Sequence, residues 1–287
     1  MSSWLRQASI YISHVSDPWI NLAFEDWLFQ TQKQSKYQLM LYRNSPSVII
    51  GRNQNPWREC NVLALNRDKV PIVRRKSGGG TVYHDMGNTN YSITMPRDEF
   101  DRKRNANLVS QALHRMDIPS EVNLRHDIVI GGKKVSGSAF KLGQIVGRGV
   151  ESVKSQVTTL LDHSYTADHK SFCDAVAHEF MQEYSDAQVP HTILTLDDFY
   201  SSKPVQEIHE QLKSWAWTFG ETSQFVHTVP LKESGKEISI TVLEGLVVRI
   251  QLMVDGVALA SQDDSFSKEW IGRKYDAVLP ILMGSGM

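Results

Sequence analysis

Arg74-Arg75-Lys76-Ser77-Gly78-Gly79-Gly80-Thr81-Val82-Tyr83-His84-Asp85 is the stretch on which the reading of this chain turns. Three glycines in a row present backbone N–H groups with no side chains in the way, so the backbone can come close to phosphate or carboxylate oxygens. The basic triplet before them adds two planar guanidinium forks and one compact ammonium. Together they suit an anion cradle. They suit equally a hairpin turn with solvated charges on one strand, because glycine-rich loops are common in turns. The stretch contains no GxxxxGK[ST] and no GxGxxG spacing, and Gly147-Arg148-Gly149 is too short to supply one.

The elements on either side give the fold class. Val70 to Val73 is a short strand that feeds the glycines, and Thr89 to Met95 is a strand after them. Upstream, Ile10-Tyr11-Ile12 reads as a strand. Asp17-Pro18 starts a helix whose apolar face is Ile20, Ala23, Phe24, Trp27 and Leu28. Tyr37 to Tyr42 and Ser47 to Ile50 are β-like runs around the turn-forming Asn44-Ser45-Pro46, and Pro56 begins a helix through Leu65. Downstream come a helix over Arg104 to Met116 and a hairpin of Asp127–Ile130 and Lys134–Phe140 around Gly131-Gly132. A helix over His169 to Tyr184 and a polar stretch from Gln188 to Asp198 follow. The chain then runs through a helix over Val205 to Trp215 and strands at Ile238–Val242 and Leu246–Leu252. Strands adjoin strands without strict βαβ alternation, so the expected class is α/β of the α+β kind with a mixed sheet. The expected division is a main domain over 1–190 and a small α+β domain over 191–287.

The hairpin holds the second group of interest. Lys133-Lys134 opens its second strand and runs into Ser136-Gly137-Ser138-Ala139. A strand-borne lysine is held firmly enough to neutralise charge growing on an acyl-phosphate bridge or a carbonyl oxygen. The alternative is a surface lysine pair. Asp127, on the partner strand, suits Mg²⁺ as an oxygen ligand or is an exposed capping carboxylate. His84, beside the glycines, reads as a hydrogen-bonded structural histidine, and Trp215, Trp217 and Phe219 as core or interface aromatics.

Bulk properties exclude several classes. The chain has 287 residues, 41% hydrophobic and 22% charged, which suffices for a sizeable core. A formal net charge of −1 argues against a general nucleic-acid binder. The two cysteines, Cys60 and Cys173, make neither a disulfide framework nor a zinc motif. No apolar run is long enough to span a membrane, so no membrane partner is expected. The opening residues, with one Arg and no acid before Asp17, are faintly like a mitochondrial presequence.

With these residues in place, the sequence resembles the lipoate–protein ligase A and lipoyltransferase family. The matching segments are Asp17–Glu25, Ile50–Trp57, Arg74–Asp85 with Gly87–Asn90, His126–Val129, Lys134–Ala139, Val150–Ser155 and Trp215–Gly220. The wording from Asn123 to Asp127 is most similar to the fungal mitochondrial members. The resemblance implies a mixed-sheet catalytic domain of the biotin/lipoate ligase type with an accessory domain behind it. It implies ATP and Mg²⁺ as co-reactants, lipoate or octanoate as substrate, and an acyl-adenylate intermediate. The acceptors it implies are apo lipoyl domains of 2-oxoacid dehydrogenase E2 subunits and the glycine-cleavage H protein. Arg75 and the Gly80-Thr81-Val82-Tyr83 backbone would contact the nucleotide. Lys134 would contact the lipoyl carbonyl and the phosphate, and Asp127 would lie near the phosphate or metal. A monomer is expected, in the mitochondrion by resemblance and otherwise in the cytoplasm.

The chain departs from the family at one place. After Lys141 members usually continue with an Arg-Ala-Tyr-His-His-Gly-Thr-like strand, a loop and a helix. Here Leu142 leads almost directly to Val150-Glu151-Ser152, and no His-His-Gly-Thr occurs. Loss of a central strand implies an isolated sheet edge and an opened pocket. Two rivals within the same chemistry follow: a non-catalytic binder of lipoyl-AMP or lipoyl domains, and a transferase that uses a preactivated acyl donor. A biotin–protein ligase would carry a GRGRRG-type loop, which is absent. A thioester-type octanoyltransferase would need a nucleophilic cysteine in a matching motif.

Overall fold

The computed structural model describes residues 7–31, 36–139, 141, 155–230, 236–254, 257–258 and 265–282. The segment from Leu142 through Lys154, where the family departure lies, is outside these, as are the first six residues and most of the Val150–Ser155 match. In chain order the first half comprises β1 (Gln7–Ser13), α1 (Pro18–Thr31), β2 (Lys36–Arg43), β3 (Ser47–Ile50), α2 (Pro56–Glu59), α3 (Val62–Arg67), β4 (Ile72–Arg74), β5 (Val82–His84) and β6 (Thr89–Thr94). Then come α4 (Arg102–His114), β7 (Glu121–Val122), β8 (Ile128–Ile130), β9 (Lys133–Ser136), α5 (His169–Tyr184), β10 (His191–Leu194), α6 (Leu196–Ser201) and α7 (Lys203–Lys213). The remainder is β11 (Phe225–Pro230), β12 (Lys236–Leu243), β13 (Leu246–Val254), β14 (Val257–Ala258), α8 (Ser265–Trp270) and α9 (Tyr275–Leu282).

The main sheet has the order β10-β1-β2-β6, with β1 parallel to both neighbours and β6 antiparallel to β2. Its two faces are covered by different helices, and β2 shows why. Strand side chains alternate in direction. Tyr37, Leu39 and Leu41 therefore enter a core with α4 and α5, while Met40 and Tyr42 enter one with α1 and α7. Helices on both faces bury β2 throughout. Asp17 caps α1 by accepting from the backbone N–H of Trp19 (2.9 Å) and Ile20 (3.0 Å). The predicted helix from Pro56 to Leu65 is split: Asn55 caps α2, Cys60 stops it in extended backbone, and Asn61 caps α3.

Two three-stranded sheets carry the motifs. One is β4-β3-β5, with β3 parallel to β4 and antiparallel to β5, and the other is β7-β8-β9. Gly131 (φ 54°) and Gly132 (φ 76°) make the β8–β9 turn, as two left-handed residues should. The strand expected over Lys134–Phe140 ends at Ser136. The expected bare edge is partly taken: Lys134 pairs in parallel with Val157, its N–H donating to Gln156 O (2.9 Å) and its carbonyl accepting from Thr158 N (3.0 Å).

The division expected at 190/191 does not follow the packing. His191–Leu194 is the edge strand β10 of the main sheet, paired with β1, and Leu194, Phe199, Val205, Leu212 and Trp217 share the core of α1. The change of core comes after residue 220. There β11-β12-β13-β14 form an antiparallel sheet with its own apolar cluster around Ile240, Val247, Trp270 and Tyr275. Trp57 joins the two parts, its ring 5.2 Å from Phe219, 5.5 Å from Phe225 and 5.2 Å from Tyr275.

Candidate active site

Period two along β4 sends the adjacent arginines to opposite sides. Arg74 shares the side of Ile72 and is fully buried. Its Nη1 donates to Arg52 O (2.9 Å) and Gln54 O (2.7 Å), its Nε to Trp217 O (3.0 Å), and its Nη2 to Thr218 O (2.7 Å) and Thr222 Oγ1 (2.9 Å). Trp217 Nε1 returns a bond to Arg74 O (2.7 Å). Burial lowers the Arg74 pKa to about 10, which still leaves a cation at neutral pH. Arg74 thus ties the β3–α2 loop to the Trp217–Thr222 segment and contributes nothing to an anion cradle. Lys76 lies over the Trp217 ring at 3.6 Å and donates to Gln211 Oε1 (2.6 Å).

Arg75 points toward α1, and the glycine run winds around its guanidinium. Nε and Nη2 donate to Gly78 O (3.1 and 2.6 Å), Nη2 to Gly80 O (2.8 Å), and Nη1 to Ile49 O (3.2 Å). In a trans peptide the N–H is opposed to the C=O. With the Gly78 and Gly80 carbonyls drawn to Arg75, the N–H groups of Gly79 and Thr81 turn away from it, as an anion-binding loop requires. Gly79 sits at φ 89°, and a Cβ there would lie 2.9 Å from Arg75 Nη2. Gly51 makes the other close approach, since a Cβ on it would come within 2.0 Å of Gly79 O. Burial lowers the pKa of Arg75, and Glu25 acts against that shift. Burial raises the Glu25 carboxyl, while the Tyr42 hydroxyl (2.8 Å from Oε2) and Arg75 pull it down. Sequence reasoning missed Glu25 and Tyr42, and no local pattern marks them as partners.

The hairpin motif meets this loop directly. A Cβ on Gly79 would lie 3.2 Å from Ala139 Cβ, so the Ser136–Ala139 strap crosses the glycine run. At the base of the strap, Lys134 Nζ pairs with Asp127 Oδ1 at 2.8 Å. Gly137 closes over that pair, since a Cβ there would be 2.6 Å from Nζ. Tyr91 OH and Ser136 Oγ, 3.0 Å apart, join β6 to β9. Asp127 is buried, and among the described residues no group of three or more His, Cys, Asp or Glu is placed to hold a metal. Val82 and Tyr83 follow the loop with exposed side chains. His84 is buried and structural: Asn21 Nδ2 donates to Asn44 Oδ1 (2.9 Å), which leaves Asn44 Nδ2 to face His84 Nδ1 at 3.0 Å.

The surroundings of both cysteines disfavour the thiolate form. Burial pushes the Cys60 thiol up to about 11 and that of Cys173 up to about 12. A separate concavity of about 450 Å³, lined by His14, Asp17, Thr195 and Asp197 among others, contains no residue of the glycine loop or of the β8–β9 hairpin.

Comparison with known proteins agrees with this geometry. Residues 17–147 match the lipoyl protein ligase A/B catalytic domain. The chain is 34% identical to lipoate-protein ligase A of Psychrobacter cryohalolentis over 76% of its own length and 74% of that protein's. It is 33% identical to a Schizosaccharomyces pombe protein provisionally assigned to lipoate-protein ligase A, over 95% and 87% respectively. That second match extends over 318 positions, more than the 287 residues of this chain, and so includes positions the chain lacks. Among solved structures, P. falciparum LipL1 in complex with lipoate shares the fold with a TM-score of 0.64 at 22% identity, covering 86% of this chain and 84% of that one. A lipoate-protein ligase A bound with ATP gives 0.60 at 18%, over 74% and 98%. The bipartite Thermoplasma acidophilum ligase, described with its E2 lipoyl domain, gives 0.61 at 17%, over 74% and 96%. A glycine run wound on a buried arginine, crossed by the strap that follows Lys134, is thus found in a chain one-third identical to the Psychrobacter and Schizosaccharomyces relatives, and the chain belongs to the lipoate-protein ligase A family.

Proposed function

We propose that this chain activates lipoate, or octanoate, with ATP and passes the acyl group to a lysine of an acceptor domain. The observation that carries the reading is the close approach of Ala139 to Gly79, which brings the strap that follows Lys134 against the glycine run. In the first step a carboxylate oxygen of the substrate attacks the α-phosphorus of ATP, and the bond to pyrophosphate breaks. In the second the acceptor amine attacks the acyl carbonyl, the C–O bond to AMP breaks, and the amine loses a proton. The mixed anhydride is already activated, so no protein nucleophile is needed.

The residues divide the work by chemistry. The N–H groups that Arg75 turns outward, with the Gly80-Thr81-Val82-Tyr83 backbone, hold the nucleotide. Lys134 places positive charge where it develops negatively, first on the phosphate and then on the carbonyl oxygen. Asp127 holds the Lys134 ammonium in place. Its lone carboxylate also fits Mg²⁺, a hard cation that commonly takes one or two carboxylates and completes its shell from phosphates and water. When bound, Mg²⁺ supplies charge neutralisation on the triphosphate. The acceptors proposed are apo lipoyl domains of 2-oxoacid dehydrogenase E2 subunits and the glycine-cleavage H protein. The Thermoplasma ligase, whose structure is described with an E2 lipoyl domain, supports that class.

The test combines the chain, ATP, Mg²⁺, lipoate and an apo lipoyl domain, and weighs the acceptor. A gain of one lipoyl group that disappears with Lys134→Ala is the expected result. Transfer only from preformed lipoyl-AMP would make the chain a transferase, and none from either donor would reduce it to a binder.

A further inference from the structure

Gln54 is a buried polar group that the mechanism leaves unused. It lies in the loop between β3 and α2, it is 1% exposed, and its oxygen faces the glycine run and not the solvent. Gln54 Oε1 accepts from Gly51 N (2.8 Å) and from Thr81 Oγ1 (2.8 Å). Its own carbonyl accepts from Arg74 Nη1 (2.7 Å), and its N–H donates to Gly51 O (3.1 Å). The loop that bears it is pinned to the glycine run at a second point, where Arg52 N donates to Ser77 O (2.9 Å). The amide is therefore fixed from both sides before it reaches Thr81.

We propose that Gln54 is a positioning residue for the nucleotide-binding loop, acting through Thr81. The bond from Thr81 Oγ1 commits that hydroxyl's proton to Gln54, so the Thr81 side chain cannot also donate to a phosphate. The direction of the Gly80–Thr81 peptide depends on where the Thr81 side chain is moored. Arg75 draws the Gly80 carbonyl inward from one side of the same peptide, and Gln54 holds Thr81 from the other. The peptide between Gly80 and Thr81 is thus fixed at both ends without spending a ligand-facing group. Buried amide oxygens that accept two bonds are costly to remove, because both donors are left unpaired.

The proposal rests on the function argued above, and its test separates the two. Gln54→Met keeps the volume and removes the acceptor. It is compared with wild type, Thr81→Val and the double variant. The first readout uses ligand-free protein: amide hydrogen exchange of residues 77–82. Gln54→Met is expected to raise exchange there about tenfold, with little further change when added to Thr81→Val. Unchanged exchange in Gln54→Met, or effects that multiply in the double variant, would overturn the proposal whatever the enzyme does. The second readout is ATP–pyrophosphate exchange with lipoate. Gln54→Met is expected to raise KM for ATP about tenfold with kcat and KM for lipoate little changed, and Gln54→Glu, which keeps the acceptor but adds negative charge, to keep the exchange protection yet lose ATP affinity. An equal loss in kcat with unchanged KM would also count against positioning. No pyrophosphate exchange in wild type would sink the adenylating reading instead and leave the hydrogen-exchange result to decide on Gln54.

Discussion

The glycine loop and the β8–β9 hairpin carry the two halves of the proposed chemistry and are built in opposite ways. In the loop the two arginines are buried and spent on backbone carbonyls: Arg74 on Arg52, Gln54, Trp217 and Thr218, and Arg75 on Ile49, Gly78 and Gly80. What remains for a ligand is peptide N–H. In the hairpin one ion pair, Lys134 with Asp127, stands partly open under an exposed strap. The difference teaches that a run of basic residues in sequence can be scaffold, while a single lysine on a short strand keeps its charge partly open to solvent. Each half can be broken separately.

The largest effect is expected at the hairpin. Lys134→Ala should lower kcat/KM for lipoylation about a thousandfold, the upper end of what one preorganised charge stabiliser supplies. Its thermal midpoint should fall only modestly, because the ammonium is partly solvated, although buried Asp127 loses its ion-pair partner. Acceptor mass and a melting curve check both. A large loss of stability would mean that Lys134 belongs with the scaffold.

Arg74 should behave in the reverse way. Arg74→Met removes the donor for a ring of buried carbonyls, and leaving such acceptors unpaired costs about 1–3 kcal/mol each where water cannot reach them. A destabilisation of about 4 kcal/mol in urea unfolding is expected. Arg74→Lys should recover little of it, since an ammonium cannot reproduce the planar fork. Stability within about 1 kcal/mol of wild type would contradict the tie between the β3–α2 loop and residues 217–222.

Gly79→Ala tests the contact between the two regions. The backbone at φ 89° disfavours any side chain, and the new methyl would meet Arg75 Nη2 and Ala139. About 1–2 kcal/mol of stability and about tenfold in KM for ATP should be lost. If only stability moved, the strap would be packing against the loop with no bearing on the nucleotide.

How much of this was legible in the sequence depended on whether the signal was local. The β-like run Tyr37–Tyr42, the Asp17-Pro18 cap, the Gly131-Gly132 turn and the span His169–Tyr184 are local, and each element stands where it was expected. Two site motifs were legible as motifs, Arg75 to Tyr83 and Lys134 to Ala139. What was not legible is where side chains go when the cause is distant. Arg74 and Arg75 look alike in sequence, and only the pairing of β4 with β3 fixes which of them faces Trp217. His191–Leu194 is short and mostly exposed, so nothing in its composition marks it as the edge of the first sheet. Its membership comes from the parallel pairing with β1, some 180 residues earlier. Gln54 carries no periodic signal at all.

The smallest expected effect is a pH dependence rooted in His84, at the end of the glycine loop's strand. Asn44 turns an amide donor toward its Nδ1, and Arg75 places a positive charge nearby, so the ring is held neutral. Burial, the largest cause, and the Arg75 charge lower the His84 pKa from 6.5 to about 4 against an upward pull from Asp85. The sign follows from proton counting. Between those two values the unfolded chain binds a proton that the folded chain refuses, so stability falls as pH drops from about 6.5 toward 4 and is unaffected above. By pH 4.5 the loss from this one residue should be about 2 kcal/mol. His84→Gln keeps an acceptor for Asn44 and cannot titrate, so the variant should lose less stability than wild type over that window while matching its slope above pH 7. Unfolding curves of the two proteins from pH 7.5 to 4.5 measure the difference. Parallel curves would mean that protonated His84 finds room, and that this end of the loop is looser than the ring of carbonyls around Arg74 and Arg75 implies.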